Sequence, residues 1–238
     1  MRRYLLLAII IAISFFNATT YAQENPLTKD LVLAKAPIDP SDMESIKRGA
    51  KFFATNCMSC HTLIYLRYDK VAQDAGITYD KMPINVANWP YGIKPPDLSL
   101  EADIRGVDWL YTYLHTFYLD PSRPTGVNNL LRPDTAMPGI LAPYQGEQQL
   151  ITGEPPTTLF RQVQWYDLLV LTKQGSMTPD QFDATTADVV NFLAYAAAPY
   201  AQYQHYIGWW VLGFLVILFV FAYLLKKEYW KDVKIHKE

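Results

Sequence analysis

Cys57-Met58-Ser59-Cys60-His61 is the stretch on which the reading of this chain turns. Cysteines three apart on one helical turn point to the same side, and an adjacent histidine lies within reach of whatever they hold. That C-x-x-C-H spacing is the attachment signature of a c-type haem: two thioether bonds to one porphyrin, with an imidazole beneath the iron. The two cysteines are the whole complement of the chain. Three rivals share the spacing. A thioredoxin-like pair needs a βαβ context, and no such alternation surrounds the motif. A structural zinc site needs four ligands, commonly a second Cys or His pair, and His115, His205 and His236 are scattered singly. A plain local disulfide is the third.

Working outward, the chain before the motif predicts a helix beginning at Ser41, where Ser41 and Glu44 form an S-x-x-E capping box. Met43, Ile46, Ala50 and Phe53 follow at helical spacing, with Gly49 on the same side. A second helix is predicted over 186–198, ended by Pro199, with Val189, Val190, Phe192, Leu193 and Ala196 on its apolar face. A third is expected around Trp109-Leu110-Tyr111-Thr112-Tyr113-Leu114-His115. Between them lie loops rich in proline, and no strong series of strands. Long irregular stretches are unusual in a compact domain, but a haem supplies a large apolar surface for loops to pack on.

The distal iron ligand is open at this level. His/Met ligation is common in electron carriers and raises the potential. Met58 lies inside the motif and Met43 at the start of a helix. Met82, Met137 and Met177 remain, and Met137 leads because Asp134-Thr135-Ala136-Met137-Pro138-Gly139 is a rigid loop without helical period. Each methionine also serves as ordinary core filler. His115, within an aromatic helix, reads better as a hydrogen-bonded wall residue, and His205 as interfacial.

The two ends are apolar. Arg2 and Arg3 precede an apolar run at 4–16, and small residues lead to Ala22, the pattern of a secretory leader over 1–22. The run falls short of the roughly 20 residues needed for a first membrane span. A charge-free run at 207–225 has the length of a transmembrane helix, with Trp209, Trp210 and Tyr223 near its ends. The tail at 226–238 holds five of the lysines, which places it on the cytoplasmic side and the domain at 23–206 outside. Removing leader and tail from totals of 21 basic and 23 acidic residues leaves 14 and 20 in the exported part, a formal charge of −6. Such a surface repels nucleic acid and attracts a basic partner.

The ordered series of motifs resembles the cytochrome c1 family, in its bacterial members, over nearly the whole mature chain. The C-M-S-C-H continues into Leu63-Ile64-Tyr65-Leu66-Arg67-Tyr68-Asp69. Pro95-Pro96-Asp97-Leu98-Ser99-Leu100 is similar to the family's P-P-D-L-S segment. Arg105-Gly106-Val107-Asp108-Trp109 is similar to R-G-x-D-Y, with Trp for Tyr. Arg123-Pro124-Thr125-Gly126-Val127-Asn128-Asn129 and Ala136-Met137-Pro138 correspond to R-P-T-G-V-N-N and A-M-P.

The resemblance implies a mainly α, c-type cytochrome fold with long Pro-rich loops plus one C-terminal transmembrane helix. The helices at 41–53 and 186–198 would cross, with close approach at Gly49 and with Phe53 and Tyr195 packed there. It implies one covalent haem c held by Cys57 and Cys60, with His61 and Met137 as the iron's axial ligands and Arg105 near the propionates. It implies a one-electron carrier of a ubiquinol–cytochrome c reductase, not catalytic alone. Its partners would be a cytochrome b subunit, a Rieske iron–sulfur protein, a soluble cytochrome c and the membrane. Mitochondrial members carry extra segments and a different presequence, so the expected site is a bacterial inner membrane, single-pass, with the haem domain in the periplasm and the C-terminus cytoplasmic. The alternative is an anchored monohaem subunit of another respiratory complex.

Overall fold

The computed structural model describes residues 31–84, 89, 92–151 and 163–235. The leader expected at 1–22 lies outside them.

The core is built on two helices far apart in sequence. Helix α1 (Met43–Asn56) packs on α6 (Pro179–Ala197), and together they bury Ile46, Ala50, Phe53, Val189, Val190, Phe192 and Leu193. Gly49 sits at their contact. A Cβ there would come within 1.9 Å of the Asp188 carbonyl oxygen, so only glycine lets the backbones approach this closely. Phe53 presents its ring to Phe192, 5.7 Å between centroids at 60°, the edge-on arrangement aromatic pairs favour. Tyr195 lies beside this cluster and donates its hydroxyl hydrogen to Asp69 Oδ2 at 2.7 Å, joining α6 to α2 (Lys70–Asp74). The crossing is sealed at its rim, where Arg48 Nε and Nη2 both donate to the Asp188 carboxylate.

Two helix starts differ from expectation. The cap of α1 is Asp42, which accepts from the N–H groups of Glu44 and Ser45. Ser41 instead donates to Asp39 Oδ1 at 2.6 Å. A charged acceptor one residue later serves the open N–H groups better than the hydroxyl does. Helix α6 begins well before residue 186, at a capping box made by Thr178 and Gln181 with Pro179 in the first turn; this T-P-x-Q start is a proper helix signal. Its end before Pro199 is as expected.

Short elements fill the middle: α3 (Glu101–Arg105), α4 (Val107–His115) and α5 (Ala142–Gln145). Two small antiparallel hairpins pair β1 (Phe117–Leu119) with β2 (Val127–Asn129), and β3 (Gly146–Leu150) with β4 (Leu169–Gln174). The sequence reading did not resolve these. The three-residue strands β1 and β2 give period-2 alternation no room to show, and β4 is exposed after its first residue, so it has no buried alternate face to betray it.

His115 is buried at the end of α4. Its Nδ1 meets the Tyr111 carbonyl at 2.7 Å and its Nε2 the Asp183 carboxylate at 3.1 Å. It is a hydrogen-bonded wall residue, as expected. The last element, α7 (Ala201–Ile235), is one continuous helix. Its stretch Tyr206–Lys231 is long and apolar enough to cross a membrane, and its described side chains are open to the surroundings. At 1.5 Å per residue a 35-residue helix runs about 52 Å, more than the roughly 30 Å of hydrocarbon. The fold is therefore the mainly α arrangement expected, with a single C-terminal helix suited to anchoring.

Candidate functional site

The cysteine motif forms the turn that ends α1. The N–H groups of Cys57 and Met58 both reach the Phe53 carbonyl, and those of Cys60 and His61 reach the Cys57 carbonyl. One helical turn thus carries both thiols, neither in a disulfide. Cys57 lies at the wall of a cleft lined also by Phe52, Leu114, Met137, Ile140, Leu141, Thr186 and Val189. Burial pushes the Cys57 thiol up to about 12, with Cys60 adding to the shift. A thiol so hard to ionise is a poor nucleophile for thiol–disulfide exchange, which uses the thiolate. An uncharged thioether loses nothing by burial there. Among the described residues no cluster of His, Cys, Asp and Glu has the makings of a metal site.

His61 is buried, with its ring fixed by an Nδ1–H donated to the Pro96 carbonyl at 2.9 Å. That bond settles the tautomer and leaves the Nε2 lone pair for a metal. Burial holds the imidazole below its ordinary basicity, against the opposing pull of the Pro96 carbonyl, Glu101 and Asp97. The ring is neutral, as a ligand must be.

The segment that supplies Pro96 is itself clasped to the chain after the motif. Asp97 Oδ2 accepts from Thr62 Oγ1 at 2.6 Å and from the Ile64 N–H at 2.9 Å. The Leu98 N–H donates to the Thr62 carbonyl at 2.9 Å, and Ser99 Oγ accepts from the Tyr65 N–H at 3.2 Å. The P-P-D-L-S segment is thus a brace for the His61 ring, a role the sequence reading quoted without explaining.

Among the candidate methionines, Met137 lines the cleft with Cys57. Its Sδ accepts from the Tyr113 hydroxyl at 3.6 Å, and the same hydroxyl contacts Thr135 Oγ1 at 3.0 Å. Met82 is buried in the main core and Met43 and Met58 pack against it. Met177 sits at the start of α6, with Sδ facing Thr185 Oγ1 at 3.7 Å. Arg105 does not line the cleft. Its Nε donates to Glu101 Oε1 at 2.5 Å, and its guanidinium lies over the Trp109 ring at 4.6 Å. Trp109 stacks on Tyr113 at 4.9 Å, so the arginine joins the Met137 side of the cleft through two rings.

The donor set suits a c-type haem on this structure's own terms: two thiols on one turn, a neutral imidazole with a free nitrogen, and a methionine lining the same mainly apolar cleft as Cys57.

Comparison with known proteins agrees with this chemistry. The model of the Cytochrome C1 family matches residues 85–233, which include the Pro96 brace, Arg105, the β1–β2 hairpin, Met137 and the apolar part of α7. A cytochrome c1 from Allochromatium vinosum is 39% identical over 228 residues, covering 84% of this chain and 89% of its own. The ammonia monooxygenase gamma subunit of Nitrosomonas europaea is 39% identical over 253 residues, covering 98% and 99%. A cytochrome c1 from Blastochloris viridis is 24% identical, covering 83% and 84%.

Proposed function

This chain belongs to the cytochrome c1 family, a haem-based electron carrier of the bc1 complex, and from that premise we propose which residues hold the haem and which partners exchange electrons with it. Cys57 and Cys60 form the two thioether bonds of one haem c. His61 presents Nε2 to the iron, held in register by Pro96. Met137, which lines the cleft with Cys57, would supply Sδ as the second ligand. Arg105 supplies a cation to a propionate, a charge-assisted pairing. The bound haem supplies a one-electron Fe(III)/Fe(II) couple, whose potential a Met ligand raises.

The protein's own part is positioning and exclusion. The apolar side chains of the cleft keep water from the redox centre. With His61 and Met137 both held as ligands, no position would be left for substrate, so the chain would carry electrons and do no bond chemistry alone. The single observation that carries this reading is the cleft shared by Cys57 and Met137, supported by His61 four residues after Cys57, whose Nδ1 is held by the Pro96 carbonyl so that Nε2 is left free.

The chain takes electrons from a Rieske iron–sulfur protein and gives them to a soluble cytochrome c, beside a cytochrome b subunit. Residues 1–22 act as a secretory leader, 23–206 as the periplasmic haem domain, 207–225 as the anchor and 226–238 as a cytoplasmic tail, in a bacterial inner membrane. The likeness to the gamma subunit named above favours a second reading, service to another membrane oxidoreductase. Affinity purification through a tag on the Lys-rich tail separates the two. Recovery of b-type haem with quinol-driven reduction of added cytochrome c supports the first reading, and slowing of that reduction as salt is raised supports acidic steering. Recovery of a copper-containing enzyme without b-type haem would replace it.

A further inference from the structure

The hairpin formed by β1 and β2 grips the Met137 loop at both ends. Asp134 is the one non-glycine residue with positive φ among the described residues, at 61°. L side chains disfavour that conformation, and it persists where surroundings enforce it. Three contacts do so here. The Asp134 N–H donates to Asn128 Oδ1 at 2.8 Å. Its carbonyl accepts from Arg123 Nη2 at 3.1 Å. Its carboxylate pairs with Arg123 Nη1 at 2.7 Å. At the other end Gly139 faces Val127, where a Cβ would come within 3.2 Å of a methyl group. Met137 lies between these two grips.

The gripping side chains are themselves held. Asn128 Nδ2 donates to Asp120 Oδ2 at 3.0 Å, and the Arg123 N–H donates to the Asp120 carbonyl at 3.1 Å. Gly126, with φ of 72°, closes the turn between the strands. Asn129 Nδ2 donates to the Tyr113 carbonyl at 2.8 Å, fixing the hairpin to α4.

We infer that Arg123 and Asn128 are positioning residues for Met137: by clamping Asp134 in its left-handed conformation they hold the sulfur in the cleft and set how firmly the axial bond is kept. This rests on the reading of Met137 as the distal ligand. A hairpin that served stability alone would change the amount of holoprotein and leave the spectrum and potential of what survives unaltered.

The test compares wild-type complex with Arg123→Gln, Arg123→Lys, Asn128→Ala and Met137→Ala. The readouts are covalent haem content, the Fe–S(Met) charge-transfer band, carbon monoxide affinity and midpoint potential. Arg123→Gln and Asn128→Ala are expected to keep covalent haem, dim the band and raise carbon monoxide affinity about tenfold. A tenfold weakening confined to the reduced state lowers the potential by about 59 mV for one electron. Arg123→Lys recovers part of the loss, because an ammonium can still meet the carboxylate. Wild-type band, affinity and potential in both Arg123→Gln and Asn128→Ala, with the band lost in Met137→Ala, overturn the clamp and leave the ligand intact. A band that survives in Met137→Ala overturns the ligand reading and the clamp with it. If Arg123→Gln does not accumulate, Asp134→Asn replaces it. Its side chain is 73% exposed, the substitution keeps the backbone contacts, and a smaller shift of the same sign is expected. Wild-type values in Asp134→Asn and Asn128→Ala overturn the clamp equally.

Discussion

Replacing Gly49 with alanine sets two physical effects of opposite sign against each other. In an exposed helix interior, Gly→Ala stabilises by about 1 kcal/mol through backbone entropy. At Gly49 the new Cβ would lie 1.9 Å from the Asp188 carbonyl oxygen, 2.5 Å from its carbon and 2.9 Å from Phe192 Cβ. Two of those atoms are α6 backbone and cannot swing away, so α1 and α6 must separate. Separation loosens the Phe53–Phe192 contact and the Arg48–Asp188 pair on either side. Overpacking of a tight core costs about 1–3 kcal/mol and sometimes more; with backbone as the obstacle we take about 3. Against the gain of about 1, the net loss is about 2 kcal/mol. At roughly 3 °C per kcal/mol for a chain of this size, Tm falls by about 6 °C. The assay is thermal unfolding of the purified holoprotein followed by near-ultraviolet circular dichroism, with Gly213→Ala as control. No atom lies within 4 Å of a Cβ at Gly213, so that variant should unfold at or above the wild-type temperature. A Gly49→Ala variant as stable as wild type would refute the close crossing of α1 and α6.

Removing the Tyr195 hydroxyl as Tyr195→Phe deletes its hydrogen bond to Asp69 and should cost about 1.5 kcal/mol in urea unfolding, within the range for bonds to charged acceptors. An unchanged denaturation midpoint would mean α6 and α2 are not joined there. Burial acts to raise the Asp97 carboxyl, but hydrogen bonds from Ser99, Thr62 and Ile64 outweigh it and hold the group below its ordinary range. Its stabilising share is therefore complete above the unfolded value near 4 and is lost as pH falls through the lower folded value. Asp97→Asn should flatten the acid limb of the stability profile below about pH 4 while shifting the Soret band through the loosened Pro96 brace; an unchanged acid limb would contradict the assignment.

The parts of this molecule that were legible in the sequence are those governed by local spacing. The cysteine turn, the apolar faces at 43–53 and 189–196, the tight position of Gly49 and the charge-free final helix each express a period or a motif within one element. The cap of α1 was misplaced by one residue because Ser41 and Asp42 both satisfy the chemistry, and the choice is made by Asp39, which draws the serine hydroxyl away. Phe53 and Tyr195 both pack in the cluster at the crossing, as expected; the edge-on ring contact of Phe53 is with Phe192, and the Tyr195 hydroxyl finds the Asp69 carboxylate.

What stayed hidden were contacts between segments. His61 is steadied by a carbonyl 35 residues away, and no side chain at Pro96 announces that role. The hold of Arg123 and Asn128 on Asp134 depends on a hairpin of three-residue strands, too short for alternation to reveal. Arg105, proposed above as a propionate partner, also leans on Trp109 and pairs with Glu101, contacts that the resemblance does not announce. The i, i+4 spacings of Glu101 with Arg105 and of Trp109 with Tyr113, each within one helix, were a signal for those two pairs; the break at Gly106 that sets Arg105 over Trp109 has no such period.

The most direct test of the central claim, one covalent haem ligated by His61 and Met137, is a reduced-minus-oxidised spectrum of purified wild type beside Met137→Ala. The account predicts a low-spin c-type α-band in wild type with no carbon monoxide binding, and in the variant loss of the Fe–S(Met) charge-transfer band with carbon monoxide bound. A variant spectrum identical to wild type, or ready carbon monoxide binding by wild type itself, would contradict it.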